Sequence, residues 1–121
     1  MVIAMKPIVL PSDTERKLVE IFAALGNPAR MHILEILAQN PESIVADLVE
    51  QLPLAQSTIS QHLQVLQRAG LIYNETEGVR RCCRIDVNVI AEFAQHVVGW
   101  THSLATRTAH GCLDGGSSCS R

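Results

Sequence analysis

Apolar residues recur along most of this chain at the three- and four-residue spacing of a helix with one buried face. Leu18, Ile21, Phe22 and Leu25 form the first such stripe. Ser12-Asp-Thr-Glu15 in front of it has the spacing of a capping box, and Gly26 follows it as a stop. Asn27-Pro28 then reads as an N-cap with proline at the first helical position, opening a second helix, Pro28–Gln39, anchored by Ile33, Leu34, Ile36 and Leu37. Asn40-Pro41 breaks it. A third helix, Pro41–Leu52, places Ile44, Leu48 and Leu52 inward, and Leu-Pro-Leu connects it to a fourth, Leu54–Gly70. The period then changes from helical to alternating. Leu71–Glu75 reads as a strand, Thr76-Glu-Gly78 as a turn, and Val79–Ile85 as a return strand. In that strand Arg80, Cys82 and Arg84 face one way, and Arg81, Cys83 and Ile85 the other. Asp86 can cap a last long helix to about Ala109, along which Ile90, Phe93, Val97, Trp100 and Leu104 repeat at three, four, three and four. That is a narrow coiled-coil seam, which calls for a partner helix.

The fourth helix carries the most informative face. Ile59, Leu63 and Leu66 share its apolar side, while Ser57, Ser60, Gln61, Gln64 and Arg68 cluster opposite them. A merely solvated face is usually laced with Glu and Lys; this one has neither. Hydroxyls and amides both donate and accept, as base edges and phosphate oxygens in a major groove require. A short helix, a tight connection, this helix and a hairpin with a basic strand make the order of a helix-turn-helix with a wing. The fold class expected is mainly α with a small β-wing: about five helices and a two-stranded hairpin, as a dimer.

With 121 residues the chain has one domain's worth of core, and with 3 % aromatics that core must be Leu, Ile, Val and Ala. Residues 1–11 read as a flexible arm, 12–109 as the winged-helix and dimerisation domain, and 110–121 as a flexible, Cys-containing tail. The overall charge of −2 argues against a polyanion partner until its distribution is considered. Gln56–Arg84 holds four Arg against two Glu, a net +2, so the remainder carries −4. A weakly basic reading surface on an acidic body suits sequence-specific DNA binding, not a non-specific coat. No apolar run approaches the ~18 residues of a membrane span, and the first ten residues lack a signal-peptide cleavage pattern. A cytoplasmic protein without membrane attachment is expected, its four cysteines as thiols.

The residues Ala24-Leu-Gly-Asn-Pro-Ala-Arg30, Gln56-Ser-Thr-Ile-Ser-Gln-His-Leu63, Leu66…Ala-Gly-Leu-Ile72 and the Arg-rich wing resemble the ArsR/SmtB family of winged-helix repressors, over roughly Ala23 to Phe93. The resemblance implies a homodimer on a palindromic double-stranded operator, the fourth helix in the major groove, and an inducer that weakens DNA binding. On that reading Gln56, Ser57, Ser60, Gln61 and Gln64 reach bases or phosphates, with Thr58 and His62 at the margin, and Arg68, Arg80 and Arg81 hold the backbone. Leu18 and Ile21 of the first helix join Ile90, Phe93, Val97, Trp100 and Leu104 of the last in the dimer interface.

The departures from the family pattern bear on the signal. The arsenic-sensing Cys-Val-Cys of the third helix is replaced by Ser43-Ile-Val-Ala-Asp47. The positions of a zinc site on the last helix hold Val87, Val89, Trp100 and Ser103, and the usual Ser at the recognition-helix cap is Ala55, leaving Gln56 or Ser57 to cap. Cys82-Cys83 stands where the wing usually carries aromatics. These thiols are either buried fillers or soft-metal ligands. Cys112 and Cys119 lie in the Gly/Ser-rich tail with His110 as a possible further ligand. Two sites follow: one local to the tail, and one joining tail cysteines to Cys82 or Cys83 of a partner chain. Either suits As(III) or Sb(III), or Zn(II) or Cd(II), as inducer, with no obligatory cofactor. A dithiol redox sensor is the alternative, since Cys112 and Cys119 can close a disulfide. Of the other histidines, His62 lies beside the core edge of the fourth helix and reads as a packing or phosphate-contacting residue, His32 near Arg30 as solvated or capping, and His96 and His102 as surface. An interaction module without DNA is a different class, against which the amide-rich face argues. Catalysis is not expected: no Cys-x-x-Cys, no His–carboxylate pair at catalytic spacing and no phosphate-binding glycine loop occurs.

Overall fold

The computed structural model describes residues 12–115. The order is α1 (Asp13–Leu25), α2 (Pro28–Gln39), α3 (Val45–Gln51), α4 (Gln56–Arg68), β1 (Ile72–Glu77), β2 (Arg80–Ile85) and α5 (Val87–Gly115). The chain divides into a unit that ends at Asp86 and one that begins at Val87.

Local chemistry fixes the helix ends of the first unit. Ser12 caps α1, its Oγ accepting from Glu15 N–H at 3.2 Å and donating to the Glu15 carboxylate at 3.3 Å. Asn27 caps α2 by accepting from the Ala29 and Arg30 N–H groups at 2.8 and 3.2 Å, with Pro28 at the first helical position. Two hydrogen bonds past the end of α4 form a Schellman closure: Gly70 N–H to Gln67 C=O at 2.9 Å and Leu71 N–H to Leu66 C=O at 3.0 Å. That closure needs the left-handed backbone that Gly70 supplies at φ +82°. It also turns Leu71 wholly inward.

Ile33 and Leu37 of α2, Leu48 of α3, and Ile59 and Leu66 of α4 are fully buried and form the centre of the unit. Burying each such side chain contributes about 1.5–3 kcal/mol. α4 packs on α1, α2 and α3, so its inner stripe is covered from three directions while its opposite side stays outward.

Three expectations need correction. The third helix begins at Val45 instead of Pro41. Ser43 N–H and Oγ both donate to Asn40 C=O, at 3.0 and 2.8 Å, which holds residues 41–43 in a turn. Ile44 then makes an antiparallel bridge with Cys82, and its N–H donates to Asp47 Oδ2 at 2.9 Å. The wing is longer than its turn residues suggested. Glu77 pairs with Arg80, leaving a two-residue tip, Gly78-Val79, with Gly78 at φ +63°. Only the first tip residue has a positive φ, the pattern of a type II′ turn. Finally α5 does not stop near Ala109; it continues to Gly115, so His110 and Cys112 lie on the helix and not in a tail.

Candidate nucleic-acid interface

α4 starts at Gln56 with Ala55 in the cap position, in an extended conformation with no side-chain cap. Gln56 and Ser57, expected to cap in its place, are already the first two helical residues. Neither sits in the extended conformation from which a side chain reaches forward to the helix N–H groups. From there the 3.6-residue period sorts the side chains. Gln56, Ser57, Gln61, Gln64 and Arg68 are exposed; Thr58, Ser60 and His62 are half-buried. The outward side of α4 is therefore amides and hydroxyls with one guanidinium, and it carries no carboxylate.

The hairpin follows directly. Arg80 and Arg81 are exposed beside the tip, and Val79 at the tip is fully exposed. Arg84, third of the wing arginines, is committed within the fold. Its Nε donates to the Glu75 carboxylate, and its Nη1 donates to Pro41 C=O at 3.4 Å. Arg68, Arg80 and Arg81 are thus the exposed cations that α4 and the wing themselves carry among the described residues.

His62 is not simply a marginal residue of the outward side. Its Nδ1 lies 3.3 Å from Arg30 Nη1. Arg30 also donates from Nε to Ala24 C=O at 2.6 Å and from Nη2 to Ala23 C=O at 3.3 Å. One guanidinium thereby joins the end of α1, the start of α2 and the middle of α4. Beside it a cleft of about 290 Å³ opens among Glu20, Ala23, Arg30, Val65 and Arg68. Sequence reasoning passed over Arg30 except as part of a motif. The signal was present: a cation in the first turn of a helix faces the positive end of the dipole and needs acceptors of its own.

The cysteines divide. Cys82 and Cys83 are adjacent on β2 and face opposite sides, yet both are buried, at 1 % and 4 % exposure. Cys82 Sγ lies 3.9 Å from Glu42 C=O, and Cys83 Sγ lies 3.5 Å from Asn74 Oδ1. Burial, with the neighbouring Cys82 adding to it, pushes the Cys83 thiol above its ordinary value against the pull of Arg81. Both fit as buried fillers. Cys112 is on α5, its side chain outside the described positions, as is that of His110; Cys119 lies outside the described residues. Among the described residues no group of three or more His, Cys, Asp or Glu side chains is placed to share a metal ion.

Of the expected interface residues, Ile21 is 3 % exposed within a single chain and is a core residue, because the α1 stripe that carries it turns inward. Leu18, Ile90, Phe93 and Val97 are half-buried, while Trp100 and Leu104 are 52 % and 45 % exposed. Val19, at 61 %, and Val98, at 66 %, were not expected in that set and are also exposed. His32, His96 and His102 are exposed, as expected. Among the described residues no helix is long and apolar enough to cross a membrane.

Comparison with known proteins bears on this arrangement. The profile of the bacterial regulatory protein arsR family matches residues 27–74, which span α2, α3, α4 and the start of β1. An HTH-type transcriptional regulator of Methanocaldococcus jannaschii is 42 % identical over 62 residues, covering 51 % of this chain and 70 % of the relative. The arsenical resistance operon repressor of Bacillus subtilis is 39 % identical over 67 residues, covering 55 % of this chain and 64 % of the repressor. Among solved structures, the homodimeric winged helix-turn-helix DNA-binding domain of a possible ArsR-family regulator from Mycobacterium bovis superposes with a TM-score of 0.60 at 29 % identity. That match covers 78 % of this chain and 91 % of the other. With its recognition helix, hairpin wing and these relatives, the chain belongs to the ArsR family of winged helix-turn-helix transcriptional regulators, not to a family of enzymes.

Proposed function

We propose that this protein is a homodimeric repressor that binds a palindromic operator through α4 and its wing and is released by a thiol-binding inducer. The observation that carries the reading is the outward side of α4: exposed Gln56, Ser57, Gln61 and Gln64, and no carboxylate to repel phosphate. Gln61 and Gln64 are assigned to base edges, Ser57 and Ser60 to bases or phosphates, and Arg68, Arg80 and Arg81 to the backbone. Dimerisation is supported by the apolar groups left exposed on α5, Val98 and Leu104 among them, and by the homodimeric state named for the Mycobacterium bovis domain. The test is duplex titration against salt, with the DNA upstream of the protein's own gene and an unrelated duplex of equal length. Operator-containing DNA should bind at least tenfold tighter, and Arg81→Ala should flatten the log–log salt slope by about one unit on both duplexes. Equal affinity for the two duplexes defeats the reading.

The inducer is assigned to the soft thiophiles As(III) and Sb(III), with Zn(II) or Cd(II) next. Support comes from the arsenical-resistance repressor among the relatives and from the four thiols. The burial of Cys82 and Cys83 disfavours them as first contacts and favours Cys112 and Cys119, with His110 as a possible further ligand. As(III)-driven release that survives Cys112→Ser and Cys119→Ser together would move the site elsewhere.

A further inference from the structure

We infer that Arg30 and His62 act as a pair that positions the recognition helix, so that His62 serves DNA reading from behind α4 and not by touching DNA. The inference rests on the proposed DNA-binding role of α4 and deepens it.

Arg30 is the third residue of α2, inside its first turn, where the helix dipole disfavours a cation. Such a residue needs compensation, and the fold supplies it from the opposite pole of another helix. The Ala23 and Ala24 carbonyls belong to the last turn of α1, where C=O groups have lost the next turn's N–H donors; Ala23 C=O also accepts from the Gly26 N–H at 3.3 Å. The rigid guanidinium fork meets both, and its remaining edge is held toward α4. Arginine has only donors, so His62 Nδ1 is the acceptor in that contact.

His62 stands at the midpoint of α4, one residue from Gln61 and two from Gln64. A tether there restrains both tilt and rotation of the helix about its axis. Apolar packing through Ile59, Leu63 and Leu66 fixes depth but tolerates small rotations, since apolar contacts have no direction. Base readout does not tolerate them: bidentate amide contacts to adenine are directional, whereas a point contact to a phosphate has latitude. Losing the tether should therefore cost sequence discrimination and spare non-specific affinity.

The experiment uses the full chain and the two duplexes above, with Arg30→Ala, His62→Ala, His62→Gln and the double alanine variant, each checked for folding by circular dichroism. Either alanine change should lower operator affinity about tenfold, with non-specific affinity within about twofold of the parent. The double variant should be no weaker than the weaker single variant, because both remove one contact. His62→Gln keeps an acceptor and should regain most of what His62→Ala loses. Losses that multiply in the double variant mean that His62 meets DNA independently, and the inference fails. So it does if folded Arg30→Ala binds operator like the parent, or if every variant loses specific and non-specific binding equally. Should Arg30→Ala not fold, the His62→Gln and His62→Ala pair decides: equal loss in both overturns the pair. If the unsubstituted protein cannot tell the duplexes apart, the failure belongs to the DNA-binding reading instead.

Discussion

The outward side of α4 and the middle of β2 each concentrate side chains able to hold a ligand, and they meet solvent in opposite ways. Gln61 and Gln64 stand exposed, whereas Cys82 and Cys83 are covered although they alternate across the hairpin. A helix packed on its neighbours through one stripe leaves its opposite side free by geometry. A strand of a small hairpin has two sides, and here both are closed at the centre: Cys82 against the 42–44 segment, Cys83 beside Asn74. Residue chemistry nominates a site; whether solvent reaches it comes from what the rest of the chain lays over it.

The contrast can be broken at its buried pole first. Cys82→Asp should cost about 3 kcal/mol or more in urea unfolding, as it buries a carboxylate against the Glu42 carbonyl, itself an acceptor. Cys82→Ala should cost about 1 kcal/mol. A variant with Asp at that position that unfolds like the parent would mean that the wing centre is open to water. On the exposed pole, Gln61→Ala and Gln64→Ala should leave unfolding unchanged. Each should reduce discrimination between operator and a mutated half-site by about 1–3 kcal/mol, roughly 5- to 150-fold, in competition titrations. At the start of the same helix, Ala55→Ser should raise stability by about 1 kcal/mol by giving α4 the cap it lacks. The smallest effect concerns protons. With the Cys83 thiol held up by burial, the unfolded chain loses that proton first. Stability should therefore fall as pH rises through the ordinary thiol value of 9.0, and Cys83→Ala should remove that component in pH-dependent melting. Native-state thiol labelling at neutral pH should correspondingly spare Cys82 and Cys83 until denaturant is added.

Which parts were legible in the sequence follows from the range of the forces involved. Ser12 and Asn27-Pro28 act on the next two or three residues, so the starts of α1 and α2 could be read directly. The exposed amides of α4 followed from period alone. The start of α3 could be read only in part: Ser43 is tied locally to Asn40, but the bridge that keeps Ile44 extended comes from β2, about forty positions later. The Arg30–His62 contact spans 32 residues for the same reason. Ile21 was misassigned to an interface because a helical stripe states which residues are covered, not by what.

The two-residue tip of the wing has one further consequence. Because Glu77 faces Arg80 across Gly78-Val79, the alignment of every later pair is set by that turn. A slip by a single position would carry a guanidinium, Arg81, into the buried place of the Cys82 sulfur and push Cys83 into the half-buried place of Arg84. Gly78 is thus a registration mark: any residue that resists its positive φ loosens the indexing by which arginines stay outside and sulfurs inside.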